Sequence, residues 1–272
     1  MPHVAGQITL VKAHAYGNDF LLTSHELPAG ADPADLARAV CDRHQGVGAD
    51  GLIIVERNPA GARMSLYNPD GTRPEISGNG VRCIGAWLAV TDNLSAGAEL
   101  VVETDAGPRP LRVLSREGNR VTFRTGMGQP EDVRLVDLPV GDATVSAVVM
   151  RVGNPQCVVL GPATLDRLHS LGGALAVHPY FPAGTNVELA EVEQPGHVRI
   201  LIWERGVGPT MSSGTGTCAA AVAAAAHGGA ERTVTVEAPG GTQRVEWQAD
   251  GLWLTGWAEV VASVEWWHHV LR

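Results

Sequence analysis

Ser77-Gly78-Asn79-Gly80 and Ser213-Gly214-Thr215-Gly216 are nearly the same tetrapeptide, and they stand 136 residues apart (213 − 77), half of a 272-residue chain. Each leads into an apolar, helix-permissive run, VRCIGAWLAV after the first and TCAAAVAAAA after the second. The same offset carries Gly17-Asn18-Asp19 onto Gly153-Asn154-Pro155, Tyr67-Asn68 onto Trp203-Glu204, and Asp50 onto Asn186. An offset kept at four places predicts a duplicated domain with a hydroxyl and a glycine-rich helix start in each half. Helix N-termini carry unpaired N–H groups and partial positive charge, and glycine lets a ligand approach them closely. Two such ends acting together would grip a carboxylate or phosphate. Each serine alone reads as an ordinary helix N-cap. The repetition at half-chain spacing is what points to a shared site. Neither motif fits GxGxxG after a strand or GxxxxGK[ST], which argues against nucleotide binding.

The chain is long enough for two domains of about 100–150 residues each. Hydrophobic residues make up 44% and charged residues 18%, the balance of a soluble globular protein. The net charge is −9, with no Lys/Arg block and no aromatic-basic interleaving, which excludes a nucleic-acid partner. The first twenty residues lack a basic region followed by an apolar one, and the most apolar run, Ala219 to Ala226, is too short to span a bilayer. The expectation is a cytoplasmic protein without a membrane partner. Cys41, Cys83, Cys157 and Cys218 form no CxxC pair and no metal-ligand spacing, so they are expected to be reduced thiols packed as small core residues.

Short β-like runs separated by Gly, Pro, Asn and Asp dominate both halves, as antiparallel sheets require. Helices are predicted over Asp32–Asp42, Gly80–Thr91, Gly216–His227 and, more briefly, Leu165–Leu171. The two that follow the glycine motifs are apolar on all sides and belong inside a core. The expected fold is α+β: two pseudo-symmetric domains, each an antiparallel sheet wrapped around one central helix. Their expected bounds are 1–117, with 264–272 packing back on it, and 118–263.

Six segments, KAHAYGNDF (12–20), DRHQGVGADG (42–51), YNPDGTRPEISGNGVRC (67–83), GNPQCVV (153–159), GTNVELA (184–190) and ERGVGPTMSSGTGTCAAAVA (204–223), resemble diaminopimelate epimerase in the family's order and over nearly the whole chain. The resemblance implies an active site in the cleft between two pseudo-symmetric domains, and an amino-acid racemisation that uses neither pyridoxal phosphate nor a metal. In that reaction one thiolate removes the α-proton while a thiol on the opposite face returns one. The family's product, meso-diaminopimelate made from the LL-isomer, belongs to lysine biosynthesis, and family members are often homodimers. By position, Asn18, Asn68, Asn154 and Asn186 match substrate-holding asparagines, and Arg205 matches the arginine that pairs with the distal carboxylate. Gly78-Asn79 and Gly214-Thr215 match the helix starts that hold the α-carboxylate. Glu204 matches the glutamate that supports the second catalytic thiol. For the asparagines, turn chemistry is the competing reading; for Arg205 and Glu204 it is a surface ion pair.

Ser77 and Ser213 depart from the pattern, standing where the family has its two catalytic cysteines. Gln156 stands where a histidine assists the first thiol, and Gly51 where some members carry a glutamine. A thiol ionises near pH 8.5 and a helix N-terminus lowers that readily, whereas a serine hydroxyl needs an adjacent base. Glu204 could be that base beside Ser213. Beside Ser77 the symmetric position holds Asn68. His14 and His44 are outside candidates that read better as structural. Three functions follow: an epimerase with Ser77 and Ser213 at the proton-transfer positions, a one-base isomerase or lyase on the same scaffold, and a binding protein that keeps the carboxylate cradle.

Overall fold

The computed structural model describes residues 7–24, 27 and 31–267. Residues 268–272, part of the segment expected to pack back on the first domain, lie outside these. The chain divides into two compact units. Within the described residues, the first holds 7–15, 19–123 and 257–267, and the second holds 16–18 and 124–256. The division therefore falls six residues after the boundary expected at 117.

In the first unit, strands β1 (Gln7–Ala15), β2 (Asn18–Thr23), β3 (Gly51–Asn58), β4 (Gly61–Tyr67), β5 (Glu99–Thr104) and β6 (Gly107–Glu117) lie side by side in chain order. Helix α1 (Pro33–Cys41) covers β3 and β4, and helix α2 (Gly78–Thr91) packs on β1, β4, β5 and β6. Asp32 caps α1 and Pro33 opens it, as the sequence predicts. Two further strands, β7 (Arg120–Gly128) and β16 (Gly251–Trp267), each divide between the units. The last part of β16 pairs antiparallel with β1, from His14 opposite Glu259 to Gln7 opposite Trp267. In the second unit the order is β15 (Gly241–Gln248), β14 (Thr233–Ala238), β12 (His197–Glu204), β11 (Asn186–Gln194), β10 (Pro155–Leu160), β9 (Ala143–Arg151) and β8 (Glu131–Val140), with β13 (Gly208–Thr210) added to β12. Helix α4 (Gly214–His227) packs against β9, β10, β11, β12, β14 and β15, while α3 (Leu165–Ala176) covers β8, β11 and β12.

Most pairings are antiparallel, but each unit also holds two parallel ones: β2 with β3 and β4 with β5 in the first, β10 with β11 and β12 with β14 in the second. A parallel pair needs a crossover connection, and those crossovers are the helices: α1 between β2 and β3, α2 between β4 and β5, α3 between β10 and β11, α4 between β12 and β14. The duplication is therefore visible in topology as well as in sequence.

Alternation along the strands sorts side chains between two layers. In the second unit Val158, Ala190, Ile200 and Ile202 join α4 in one cluster. Val159, Val187, Leu189 and Leu168 form another on the α3 side. Helix α4 is alanine-rich and buried from Gly214 through Ala224. Small residues on every side let strands close around it, which a helix of leucines would prevent.

Candidate functional site

The two helix starts are built alike. Ser77 and Ser213 both have extended backbone and cap α2 and α4. Ser77 Oγ accepts from Gly80 N at 3.0 Å, and Ser213 Oγ accepts from Gly216 N at 3.2 Å. Their carbonyls accept from Val81 N at 2.9 Å and Thr217 N at 3.0 Å. This capping starts each helix at Gly78 and Gly214, two residues before the sequence-based expectation. The first N–H groups of an α-helix have no acceptor within the helix. With the third N–H taken by serine, Gly78-Asn79 and Gly214-Thr215 occupy the first two positions, where an anion would bind. Ser77 is half-buried and Ser213 only 3% exposed. Ser213 Oγ also lies 3.4 Å from Thr215 Oγ1.

The surroundings of the two starts differ. In the second unit Gln156 lies opposite Asn186, Val158 opposite Glu188, and Glu188 opposite Ile202. Gln156, Asn186, Glu188 and Glu204 therefore share the α4-facing side of β10, β11 and β12, and Asn154, in the bend before β10, bonds Gln156. Farther along the same strands this side is apolar, with Val158, Ala190 and Ile202 in the α4 cluster. At its end the sheet turns polar beside the start of α4. Glu188 is fully buried, and neither carboxyl oxygen has a hydrogen-bond partner. A Cβ on Gly216 would lie 2.4 Å from Glu188 Oε1 and 3.2 Å from Ser213 Cβ, so the carboxyl and the serine border the same space. Burial first, and then the charge of Glu204, hold the Glu188 carboxyl well above the usual carboxylate range.

The corresponding pairing in the first unit sets Phe20 opposite Gly51, Leu22 opposite Ile53, and Ile53 opposite Leu66. This register makes Gly51, not Asp50, the counterpart of Asn186, correcting the sequence offset by one residue. It makes Ile53 the counterpart of Glu188. The glycine in the first turn of α2 agrees: a Cβ on Gly80 would lie 2.9 Å from Ile53 Cδ1 and 3.3 Å from Ser77 Cβ. Asp50 serves an ion network instead. Arg43 bonds Asp19 at 2.8 Å and Asp50 at 2.7 Å, and Lys12 reaches Asp19 at 2.5 Å. Burial pushes the Asp19 carboxyl upward, but the hydrogen bonds from Arg43 and Lys12 outweigh it and hold the group below its ordinary value. Much of the first two recognisable segments, 12–20 and 42–51, is thus accounted for by structure.

Asn18 is 4% exposed at the start of β2. Asn68 closes the turn after β4, donating from Nδ2 to Thr72 Oγ1 at 2.9 Å. Asn154 Oδ1 accepts from Gln156 Nε2 at 2.5 Å, and Asn186 Oδ1 accepts from Arg205 N at 2.9 Å. Asn79 Oδ1 accepts from the buried Arg82. Arg205 donates to Ala183 O at 2.9 Å, and Glu204 ends β12 opposite Gly208. Gln156 Oε1 is buried without a hydrogen-bond partner in the protein. His14 stacks edge-on against Trp257 at 5.3 Å, and His44 N bonds Asp42 in an exposed turn. All four cysteines are buried. Burial pushes the Cys41 thiol up to about 12 and raises Cys83 and Cys157 as well. Cys41, Cys83 and Cys157 are therefore poor proton carriers. Glu188 is the residue that sequence reasoning missed. Its signal was an acid inside the otherwise apolar run Val187-Glu188-Leu189-Ala190, in phase with Asn186.

Among the described residues, no group of three or more His, Cys, Asp and Glu could hold a metal ion, and no helix is long and apolar enough to cross a membrane. The sequence profile of the family named Diaminopimelate epimerase matches residues 10–131 and 148–261. Diaminopimelate epimerase of Desulforudis audaxviator is 42% identical, over 94% of this chain and 98% of its own length. The enzyme of that name from Desulfitobacterium hafniense is 41% identical, over 93% of this chain and 95% of its own. In fold the chain is similar to a probable proline racemase from Agrobacterium radiobacter, with a TM-score of 0.76 at 18% identity, covering 97% of this chain and 93% of that one. The chain belongs to the diaminopimelate epimerase family and, with it, to the epimerase-type isomerases.

Proposed function

We propose that this protein is a diaminopimelate epimerase that interconverts LL- and meso-diaminopimelate without pyridoxal phosphate or a metal, with Ser77 and Ser213 at the two proton-transfer positions. The observation that carries the reading is the pair of serine-capped, glycine-opened helix starts in a chain 42% identical to a named diaminopimelate epimerase over nearly its full length. The N–H groups of Gly78, Asn79, Gly214 and Thr215 would take the substrate α-carboxylate. Negative charge that develops when the α-proton leaves is drawn into that carboxylate, where fixed N–H dipoles stabilise it without reorganisation. Asn18, Asn68, Asn154 and Asn186 would hold the amino and distal groups, and Arg205 the distal carboxylate. Serine is too weak an acid to hold the charge itself, so its hydroxyl must pass the proton on. On the Ser213 face Glu204 would receive it, and on the Ser77 face, where the serine is half-buried, solvent water would replace the proton given to carbon and accept it in the reverse direction. The same reading carries a homodimer acting in the cytoplasm, for which ultracentrifugation and cell fractionation are the checks.

A second reading draws on the difference between the half-sites. The fully buried carboxyl of Glu188 stands before the Ser213 helix start where Ile53 fills the matching place before Ser77, and one positioned acid–base group suffices for a one-base isomerisation or elimination. Incubation with LL-diaminopimelate in D2O, followed by proton NMR and chiral chromatography, separates the readings. Deuterium at the α-carbon with inversion supports the epimerase. Deuterium without inversion supports the one-base reading. Saturable binding without exchange would leave a non-catalytic binding protein.

A further inference from the structure

The Ser213 half-site contains a carboxyl with no assigned role. Glu188, the third residue of β11, borders the space before the first turn of α4. It is fully buried and both oxygens lack hydrogen-bond partners, although a buried polar group left unsatisfied is costly. Gly216 leaves it room, since a Cβ there would lie 2.4 Å from Glu188 Oε1. The matching space in the first unit is filled by Ile53, which shows that the fold accepts an apolar residue at this place. An isoleucine would avoid the burial penalty, so packing alone does not explain the acid.

We propose that Glu188 and Glu204 carry one proton between them and form the titratable unit through which Ser213 exchanges hydrogen with the substrate α-carbon. This rests on the function proposed above and deepens it. Two carboxylates in one poorly hydrated site cannot both ionise freely, and the more buried one keeps the proton. Glu188 is fully buried and Glu204 half-buried, so Glu188 is the one that keeps it. Among the elements packed around Glu188, β12 carries His197, Arg199 and Glu204, of which Glu204 alone is in phase with the α4-facing side; β10 carries Cys157 on its far face, where α3 with Asp166, Arg167 and His169 also packs; and α4 carries Cys218 and, at its last residue, His227. No acidic or basic residue stands in the first turn of α4. When the α-hydrogen leaves, the C–H electron pair stays on carbon and delocalises into the α-carboxylate. The proton passes to Ser213 Oγ, and the serine's own proton passes to the carboxylate of the pair. Reprotonation reverses both transfers, so the serine is never left charged. Glu188 acts through Ser213 and Glu204 and is a positioning residue.

The test combines infrared spectroscopy of the full chain with α-deuterium exchange on LL-diaminopimelate, each as a function of pH, for wild type, Glu188→Gln and Glu204→Gln. The expected wild-type spectrum shows a protonated-carboxyl C=O band at neutral pH that Glu188→Gln removes. Glu204→Gln should keep the band but shift its disappearance to lower pH, because the neighbouring negative charge is gone. Exchange in Glu188→Gln should fall about 100-fold or more in kcat with KM little changed. A wild type without the band, a midpoint unmoved by Glu204→Gln, or full exchange in Glu188→Gln would each overturn the pair. If Glu188→Gln does not fold, the Glu204→Gln midpoint decides. If wild type exchanges no α-hydrogen, the function proposed above fails, and the infrared midpoints still judge the shared proton.

Discussion

In front of Gly80 lies the methyl end of Ile53; in front of Gly216 lies the carboxyl of Glu188. The two helix starts share their cap, their glycines and their hydrogen-bond geometry, yet one is backed by hydrocarbon and the other by a buried acid. The difference separates two tasks that a duplicated site would otherwise perform twice. Binding an anion needs backbone N–H groups, which both halves supply. Moving a proton needs a group that titrates, and Ser77 has Asn68 where Ser213 has Glu204. A serine hydroxyl at a helix start is too weak an acid to titrate by itself. In the second unit the structure provides carboxyls behind it.

Alanine at the two glycines should give the largest contrast. Gly216→Ala drives a methyl into a buried carboxyl and should cost about 1–3 kcal/mol of stability, whereas Gly80→Ala meets the end of an isoleucine side chain and should cost less. Urea unfolding measures both; equal losses would mean that Glu188 can move aside as easily as Ile53. Removing the caps should be symmetric: Ser77→Ala and Ser213→Ala should each cost about 1 kcal/mol by the same measurement.

Acid and alkali should also act on the units with opposite sign. Glu188 is held above its ordinary value of 4.5, so its neutral form is the one the fold favours. Below that value it costs the fold no ionisation. As pH rises through the unfolded value toward the folded one, its contribution is lost, and Glu188→Gln should become progressively more stable than wild type. Asp19 is held below its ordinary value of 3.8, so its stabilisation is present above that pH and disappears as pH falls through the folded value. Asp19→Asn should therefore be less stable than wild type at neutral pH, with the gap closing in acid. Thermal melts across pH check both slopes, and a flat Glu188→Gln difference would contradict the burial argument. A smaller effect concerns access. With all four native cysteines buried, the native protein should label slowly with a thiol reagent. Ser77→Cys should label faster than Ser213→Cys, because Ser77 is half-buried while Ser213 is 3% exposed.

Much of this was legible in the sequence because it repeats. The two motifs located both buried helices, and glycine and proline punctuation located most strands. β2 escaped because NDFLLT is short and apolar on both faces, as its burial shows, so no alternation marks it. β8 escaped for the opposite reason, being exposed along most of its length and rich in charge. β16 is longer than the short runs the sequence predicts and reaches Trp267, because β1 gives its second part a partner. The site was legible as a set of caps, turns and a family pattern. Glu188 was not, because an acid in a strand reads as a solvent-facing residue until strand register turns it toward α4. The one-residue slip that placed Asp50 opposite Asn186 hid the comparison with Ile53, which only the strand pairing reveals.

The central claim is that both helix starts bind while the buried carboxyl of Glu188, with Ile53 in its place in the first unit, makes the Ser213 face the one that takes the α-proton. The direct measurement is α-deuterium incorporation and inversion of LL-diaminopimelate in D2O by Ser77→Ala and Ser213→Ala. Ser77→Ala should keep exchange at the α-carbon but lose inversion, and Ser213→Ala should lose both by about 10²–10⁴-fold. Exchange that survives Ser213→Ala, or that vanishes in Ser77→Ala, would contradict the account.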